Sequence, residues 1–391
     1  MEDDFLLLNP GPVPLEQSVL DAMAEPMVSH RSTSFEAAYA KASEGVRYIF
    51  ENSSVDGSST AAGGTPLLLM GTATLGMEAA VANLVDESDI VVTLENGKFG
   101  RRFRRIAERY ATVRPVTAEW GESFSQDAVA EAITDDVSLV AMVHNETSTG
   151  IINPVEAVGK LAAEHDAQFV VDGVTSIGGD AFHVDDWGVD IAITDAQKAL
   201  ASPPGISALY VAEGVEADLD GSAAPFYADL SRHVQKAADN QTPFTSAVPL
   251  VRAMAIAVSG IQEEGMATRI SRHRRQAQAF REGFAAIGLS LFPDIQGDSA
   301  VSNTVTAIEL PDDVKDDPAT FFDAVSARNV SISGGQAHLG GKIFRVSNMG
   351  NLPDSAIIRG VETIAESLTE AGYASDAEVA VTAADEILNQ H

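Results

Sequence analysis

Two positions in the stretch 168–205, QFVVDGVTSIGGDAFHVDDWGVDIAITDAQKALASPPG, carry residue types that do chemistry together. Asp172 closes the apolar run 169–171, and Lys198 follows the run 191–193 through Thr194, Asp195 and Gln197. A lysine partly withdrawn from water loses basicity and can form an imine with a carbonyl at neutral pH. A carboxylate buried at the end of an apolar run needs a cationic partner, and a protonated ring nitrogen is one. The pair suits a carbonyl cofactor held as a Schiff base, with the acid matched to a nitrogen of its ring. The plainer alternatives are a solvated lysine and an Asp that caps the turn at Gly173. Only seven lysines occur in 391 residues, which disfavours casual surface charge at position 198.

Both runs have the length and β-branched content of buried parallel strands. An open α/β sheet places its ligands at the carboxyl ends of such strands, so Asp172 and Lys198 are expected in one crevice. Further strands are predicted at 67–70, 90–94, 112–116, 139–143 and 207–211. Helices are predicted at 72–84, 99–110 and 125–133, and from Pro154, a good first helical residue, to 165. This alternation predicts an α/β fold, a large domain with a mostly parallel sheet flanked by helices.

After 247 the pattern changes to one long helix, 248–287, with an arginine-rich middle (Arg269, Arg272, Arg274, Arg275). These arginines are expected to make ion pairs. Strands near Leu289, Val305 and Ile343 and helices at 318–328 and 354–371 follow. The chain therefore divides into a large domain, 15–250, and a smaller α+β C-terminal domain, 251–391. The arm 1–14 carries three prolines and a glycine in FLLLNPGPVP, reads as extended, and packs near the active site. The small polar run 52–65 reads as a flexible surface loop, and the tail from 374 as a short acidic helix.

With no cysteine, the chain excludes disulfides, thiolate metal sites and a protein-bound persulfide. Its eight histidines show no ligand spacing, so no metal is expected. A net charge of −32 argues against nucleic acid and anionic membranes as partners. Such acidity suits a salt-rich cytoplasm, so a halophilic source is expected. MEDDFLLLNPGP has no basic region before an apolar run, and no run is long enough to span a bilayer, so a cytoplasmic protein is expected. The turn Gly71-Thr72-Ala73-Thr74 between a strand and a helix is a candidate anion site, but no Gly-Lys-Ser/Thr follows, which argues against an NTPase.

Taken together, DGVTSIGG, DAQKALASPPG, HNETSTG, the NPGP arm and GTATLGMEAA resemble the class V aminotransferases of fold type I, which use pyridoxal 5′-phosphate (PLP). The similarity is to the alanine–glyoxylate and serine–pyruvate branch, and it runs from about Leu7 to Ala371. It implies that Lys198 holds PLP and that Asp172 pairs with the ring nitrogen. Val174 and Phe99 would pack on the two ring faces, and Thr147 would lie near the phenolic oxygen. The phosphate would rest on the Ala73 and Thr74 amides beside Gln197. Thr245, in QTPFTSAVP, would close that site from the partner subunit of a homodimer.

Arg345, in IFRVSNMG, would grip the substrate α-carboxylate, and Gly11 would line the substrate site with little bulk. A guanidinium fork fits a carboxylate bidentately. The implied activity is transfer of an amino group from alanine or serine to glyoxylate or pyruvate by a ping-pong mechanism. Aspartate and 2-aminoethylphosphonate transaminases share the pattern and remain the alternative, with His30, Arg31 and Arg101 as possible sources of a second charge. Cysteine desulfurase is disfavoured by the missing cysteine.

Overall fold

Alternate residues of one buried strand serve two different cores. In β4 (Leu139–Val143), Val140 and Met142 pack with helices α2 (Thr33–Glu51), α6 (Val155–Glu164) and α8 (Val248–Glu264). Leu139 and Ala141 pack on the opposite face with α3 (Ala73–Leu84), α4 (Lys98–Ala107) and α7 (Leu230–Ala237). This is the period-two projection of a strand covered on both sides. The computed structural model describes residues 5–219 and 224–390; residues 1–4 of the arm and the last residue of the tail lie outside them.

The other strands of this sheet are β1 (Thr65–Met70), β2 (Ile90–Glu95), β3 (Thr112–Thr117), β5 (Gln168–Asp172), β6 (Ile191–Asp195) and β7 (Ile206–Val211). The order is β1-β7-β6-β5-β4-β2-β3, parallel throughout except for β7, which runs antiparallel to β1 and β6. Asp172 at the end of β5 lies opposite Ile193, so β6 continues past it toward Lys198. The two chemically marked strands are neighbours, as expected.

The pattern 248–287 predicted a single helix, but α8 ends at Glu264 and α9 runs Met266–Ala286. Gly265 divides them at φ +80, with its N–H closing on Ile261 O at 2.9 Å. Only glycine takes that conformation without strain. The four arginines in the first half of α9 are ion-paired: Arg269 and Arg272 with Glu264, Arg274 with Asp180 and Arg275 with Asp354.

A second core joins α9 from Ala279 onward to α10 (Pro318–Ala327), α11 (Asp354–Glu370) and α12 (Ala377–Leu388), and includes Leu6 and Leu8 of the arm. Its antiparallel sheet has the order β8-β10-β9, where β8 is Val305–Glu309, β9 is Ser333–Gly334 and β10 is Ile343–Ser347. The run near Leu289 makes only one bridge, Leu291 with Ile308. The first core extends along the chain to Ile270. We therefore propose that the division between domains falls inside α9, later than the composition change at 250.

The run 52–65 is a surface loop only in its middle. Ser53, Ser54, Thr60 and Ala61 are buried, and Thr60 Oγ1 donates to Phe50 O at 2.6 Å while Phe182 N donates to Ser53 O at 2.9 Å. Small residues let its two ends pack against the protein, while 55–59 stay exposed as a surface loop. Among the described residues, no helix is long and apolar enough to cross a membrane.

Candidate active site

Lys198 leaves the turn after β6 and its Nζ donates to the carbonyl of Pro10 in the arm. Gly11 is the next residue, at φ +96, and a Cβ built there would lie 2.6 Å from Lys198 Cδ and 3.0 Å from its Nζ. The arm therefore forms one wall of the lysine's channel, and only glycine leaves the channel open. Burial draws the Lys198 amine down to about 8; Asp195 and Asp172 pull it up, while Arg345 and Arg102 push it further down. A neutral amine is thus accessible near neutral pH.

Asp172 is buried, and among the described residues its only hydrogen-bond donor is the Val174 amide, 2.9 Å from Oδ1. Burial pushes its carboxyl up to about 7; the Val174 amide opposes this, and the nearby Glu146 adds to it. A buried acid so poorly compensated is an electrostatic demand for a cation. Val174 is buried with the α3 and α4 core, and Phe99, half-buried, packs against the same core. Thr147 is buried, and its hydroxyl bonds that of Thr175.

Arg345 sits in β10, every residue of which is buried. Its Nη1 donates to Thr147 O at 2.9 Å and its Nη2 to Gly334 O at 2.8 Å. Among the described residues it has no carboxylate within ion-pair distance, so the internal ion pair that would make it merely structural is missing. Burial lowers the guanidinium to about 10, with Glu146 opposing, and it remains cationic at neutral pH.

At the start of α3 the arrangement differs from the expectation. The Ala73 amide donates to Asp195 Oδ2 at 2.8 Å, and Gln197 Nε2 donates to the same oxygen at 2.7 Å. Asp195, buried at the end of β6, thus already engages two of the groups assigned to a phosphate. The Thr74 hydroxyl accepts from Arg102 Nη1 at 2.9 Å. Thr245 is exposed, and no described hydrogen bond ties it to the residues around Lys198. Arg31 holds the segment before Thr245, donating to Gln241 Oε1 and Thr242 O, each at 2.8 Å.

Sequence reasoning missed Glu146. It is fully buried and its Oε2 accepts from the Phe99 and Gly100 amides at 2.9 and 3.0 Å, capping α4 where Gly97 has no side chain to offer. The acid in HNETSTG and the uncapped ENGKFG were the available signals. Arg269 was read only as an ion-pair former. It also donates to Ala199 O at 2.6 Å and Gly178 O at 2.7 Å, bracing the turn that carries Lys198.

The model of the family described as aminotransferase class-V matches residues 6–339. The chain belongs to that family. It is 34% identical over 378 residues to an uncharacterized aminotransferase of Methanocaldococcus jannaschii, covering 94% of each chain. It is 30% identical to the L-aspartate–glyoxylate aminotransferase of Paracoccus denitrificans over 97% of this chain and 95% of that one. The crystal structure of ureidoglycine–glyoxylate aminotransferase from Bacillus subtilis superposes with a TM-score of 0.87 at 30% identity, covering 99% and 98% of the two chains. The protein is a fold type I aminotransferase, and its cofactor is PLP. The residues present fit that group: an amine of lowered basicity, an acid lacking its cation, and a backbone wall without a side chain.

Proposed function

We propose that this aminotransferase moves an amino group from a small amino acid, alanine or serine, to glyoxylate or pyruvate by a ping-pong mechanism. The observation that carries the reading is the buried Arg345 guanidinium, held by two carbonyls and lacking any carboxylate among the described residues. An α-carboxylate common to donor and acceptor would complete it bidentately. The two relatives named for glyoxylate support the acceptor.

When bound, PLP supplies the electron sink that makes the substrate Cα–H bond acidic. Lys198 would anchor it, and the Lys198 amine, when free, would serve as general base toward the substrate Cα. Asp172 would pair with the ring nitrogen, whose cation would supply the partner that this buried acid lacks. Val174 and Phe99 would hold the ring, Thr147 would serve its phenolic oxygen, and Thr74 and Gln197 would serve the phosphate. Gly11 leaves room for the substrate beside Lys198.

We further propose a homodimer in which Thr245 of one copy closes the phosphate site of the other. Its exposure, and that of Phe226 and Tyr227 close by, supports this reading. A salt-rich cytoplasm is our reading of the −32 charge; a fold that survives dialysis to low salt would count against it.

A second reading, aspartate as donor, is favoured by the Paracoccus relative and by Lys98, which lines a cavity of about 660 Å³ beside the site together with Arg101, itself paired with Glu95. A matrix of amino donors against oxo-acid acceptors in high salt decides. Turnover confined to aspartate would overturn the small-donor reading, and no turnover with any α-carboxylate pair would overturn both.

A further inference from the structure

Five arginines lie between residues 101 and 109, yet they are not alike. Arg101 and Arg104 both pair with Glu95, at 2.7 and 3.2 Å. Arg102 has no carboxylate within ion-pair distance among the described residues. Its guanidinium lies 4.8 Å above the Phe99 ring and donates to Thr74 Oγ1, in the first turn of α3. That is an unfavourable place for a lone cation, because the first turn of a helix is itself the positive end of its dipole. An anion between the two would turn this repulsion into attraction.

Asp195 sharpens the point. Its carboxylate accepts from the Ala73 amide, the Gln197 side chain and, at 3.1 Å, the Ala196 amide. It takes one amide away from any phosphate at this helix end and sets a buried negative charge beside it. A phosphate carrying up to two charges next to a carboxylate needs a cation that is not already neutralised. Arg102 meets that requirement, and it reaches the electrostatics of the site from where it stands: its charge lowers the pKa of both Asp172 and Lys198.

We propose that Arg102 is a phosphate-binding residue of the cofactor site, offsetting the charge of Asp195, which acts as a positioning residue for Gln197 and the start of α3. This inference rests on the PLP reading above and adds to it a residue outside the expected phosphate set. Arg102 would hold the phosphate through Nη hydrogens while the Thr74 hydroxyl orients it, and the ring of Phe99 would keep the guanidinium in plane.

The test is a titration of cofactor-free protein with PLP and, separately, with pyridoxal, which lacks the phosphate, followed by tryptophan fluorescence. Arg102→Ala is expected to weaken PLP by roughly 10- to 100-fold, the cost of one charge-assisted contact, and to weaken pyridoxal far less. Arg102→Lys should recover part of the loss, and adding Asp195→Asn to Arg102→Ala should recover part as well, because the repulsion it removes is the one Arg102 offsets. Arg102→Gln, which keeps a polar group and the first carbons of the side chain without its charge, replaces the alanine variant if that fails to fold. Unchanged PLP affinity, equal weakening of PLP and pyridoxal, or a double variant as weak as Arg102→Ala would each overturn the proposal. Wild-type protein that binds no PLP would overturn the cofactor reading itself, which separates the two failures.

Discussion

Gly11 of the N-terminal arm and Lys198 lie side by side although far apart in the chain: a Cβ at Gly11 would stand 2.6 Å from Lys198 Cδ and 2.9 Å from Cε. Gly11 also sits at φ +96, where a side chain is strained. Gly11→Ala is therefore expected to push the lysine out of its channel. Borohydride labelling of Lys198 by PLP should fall well below the wild-type yield while the melting temperature drops by only a few degrees, about what 1–2 kcal/mol causes. Wild-type labelling in the variant would mean the arm yields and does not shape the channel.

Lys198→Ala should abolish transamination, a loss of at least about 10³-fold for removal of both nucleophile and base. Peptide mass spectrometry after borohydride treatment should find the cofactor on Lys198 in the wild type and on no residue of the variant. A variant with full activity would sink the assignment.

Arg345→Ala removes a buried cation whose carbonyl partners, Thr147 O and Gly334 O, then lose their donors. KM for every α-carboxylate substrate should rise by roughly 10- to 100-fold, for donors and acceptors alike. An unchanged KM accompanied by a lower melting temperature would make Arg345 structural.

Asp172 gives a pH dependence with a definite sign in the cofactor-free protein. Its folded pKa of about 7 lies above the ordinary 3.8, so the folded state holds a proton that the unfolded chain has released. Stability from this group is full below pH 3.8 and is lost as pH rises to about 7. Lys198 acts in a separate window: its folded value of about 8 lies below 10.5, so stability rises between those values. Asp172→Asn should flatten the acidic limb, raising stability at pH 8 relative to wild type by roughly 2–4 kcal/mol. Denaturant midpoints measured across pH check this, and an unchanged slope between pH 4 and 7 would refute it.

Glu146→Ala leaves the Phe99 and Gly100 amides without acceptors inside the protein. A loss of about 2–4 kcal/mol is expected, together with weaker PLP binding through a displaced Phe99. Urea unfolding of the cofactor-free protein measures the first and fluorescence titration the second. Full stability would show that water replaces the carboxylate.

The sequence alone determined the reaction class and the fold class. Short β-branched runs at regular spacing define parallel strands because burial on both faces leaves no other composition, and Asp172, Lys198 and Arg345 stand out because charge at such positions is costly without a ligand. The break at Gly265 was not read, because helical periodicity continues on both sides of it. What only the tertiary structure decided is which donor meets which acceptor. Asp195 takes the Ala73 amide from 122 residues away, Glu146 caps α4 from 47 residues away, and Arg102 reaches Thr74 across 28. These bonds depend on sub-ångström distances between the ends of separate strands and helices, set by the packing of two cores. Local patterns of polarity fix each element's faces, but not the offset between one element's end and the next.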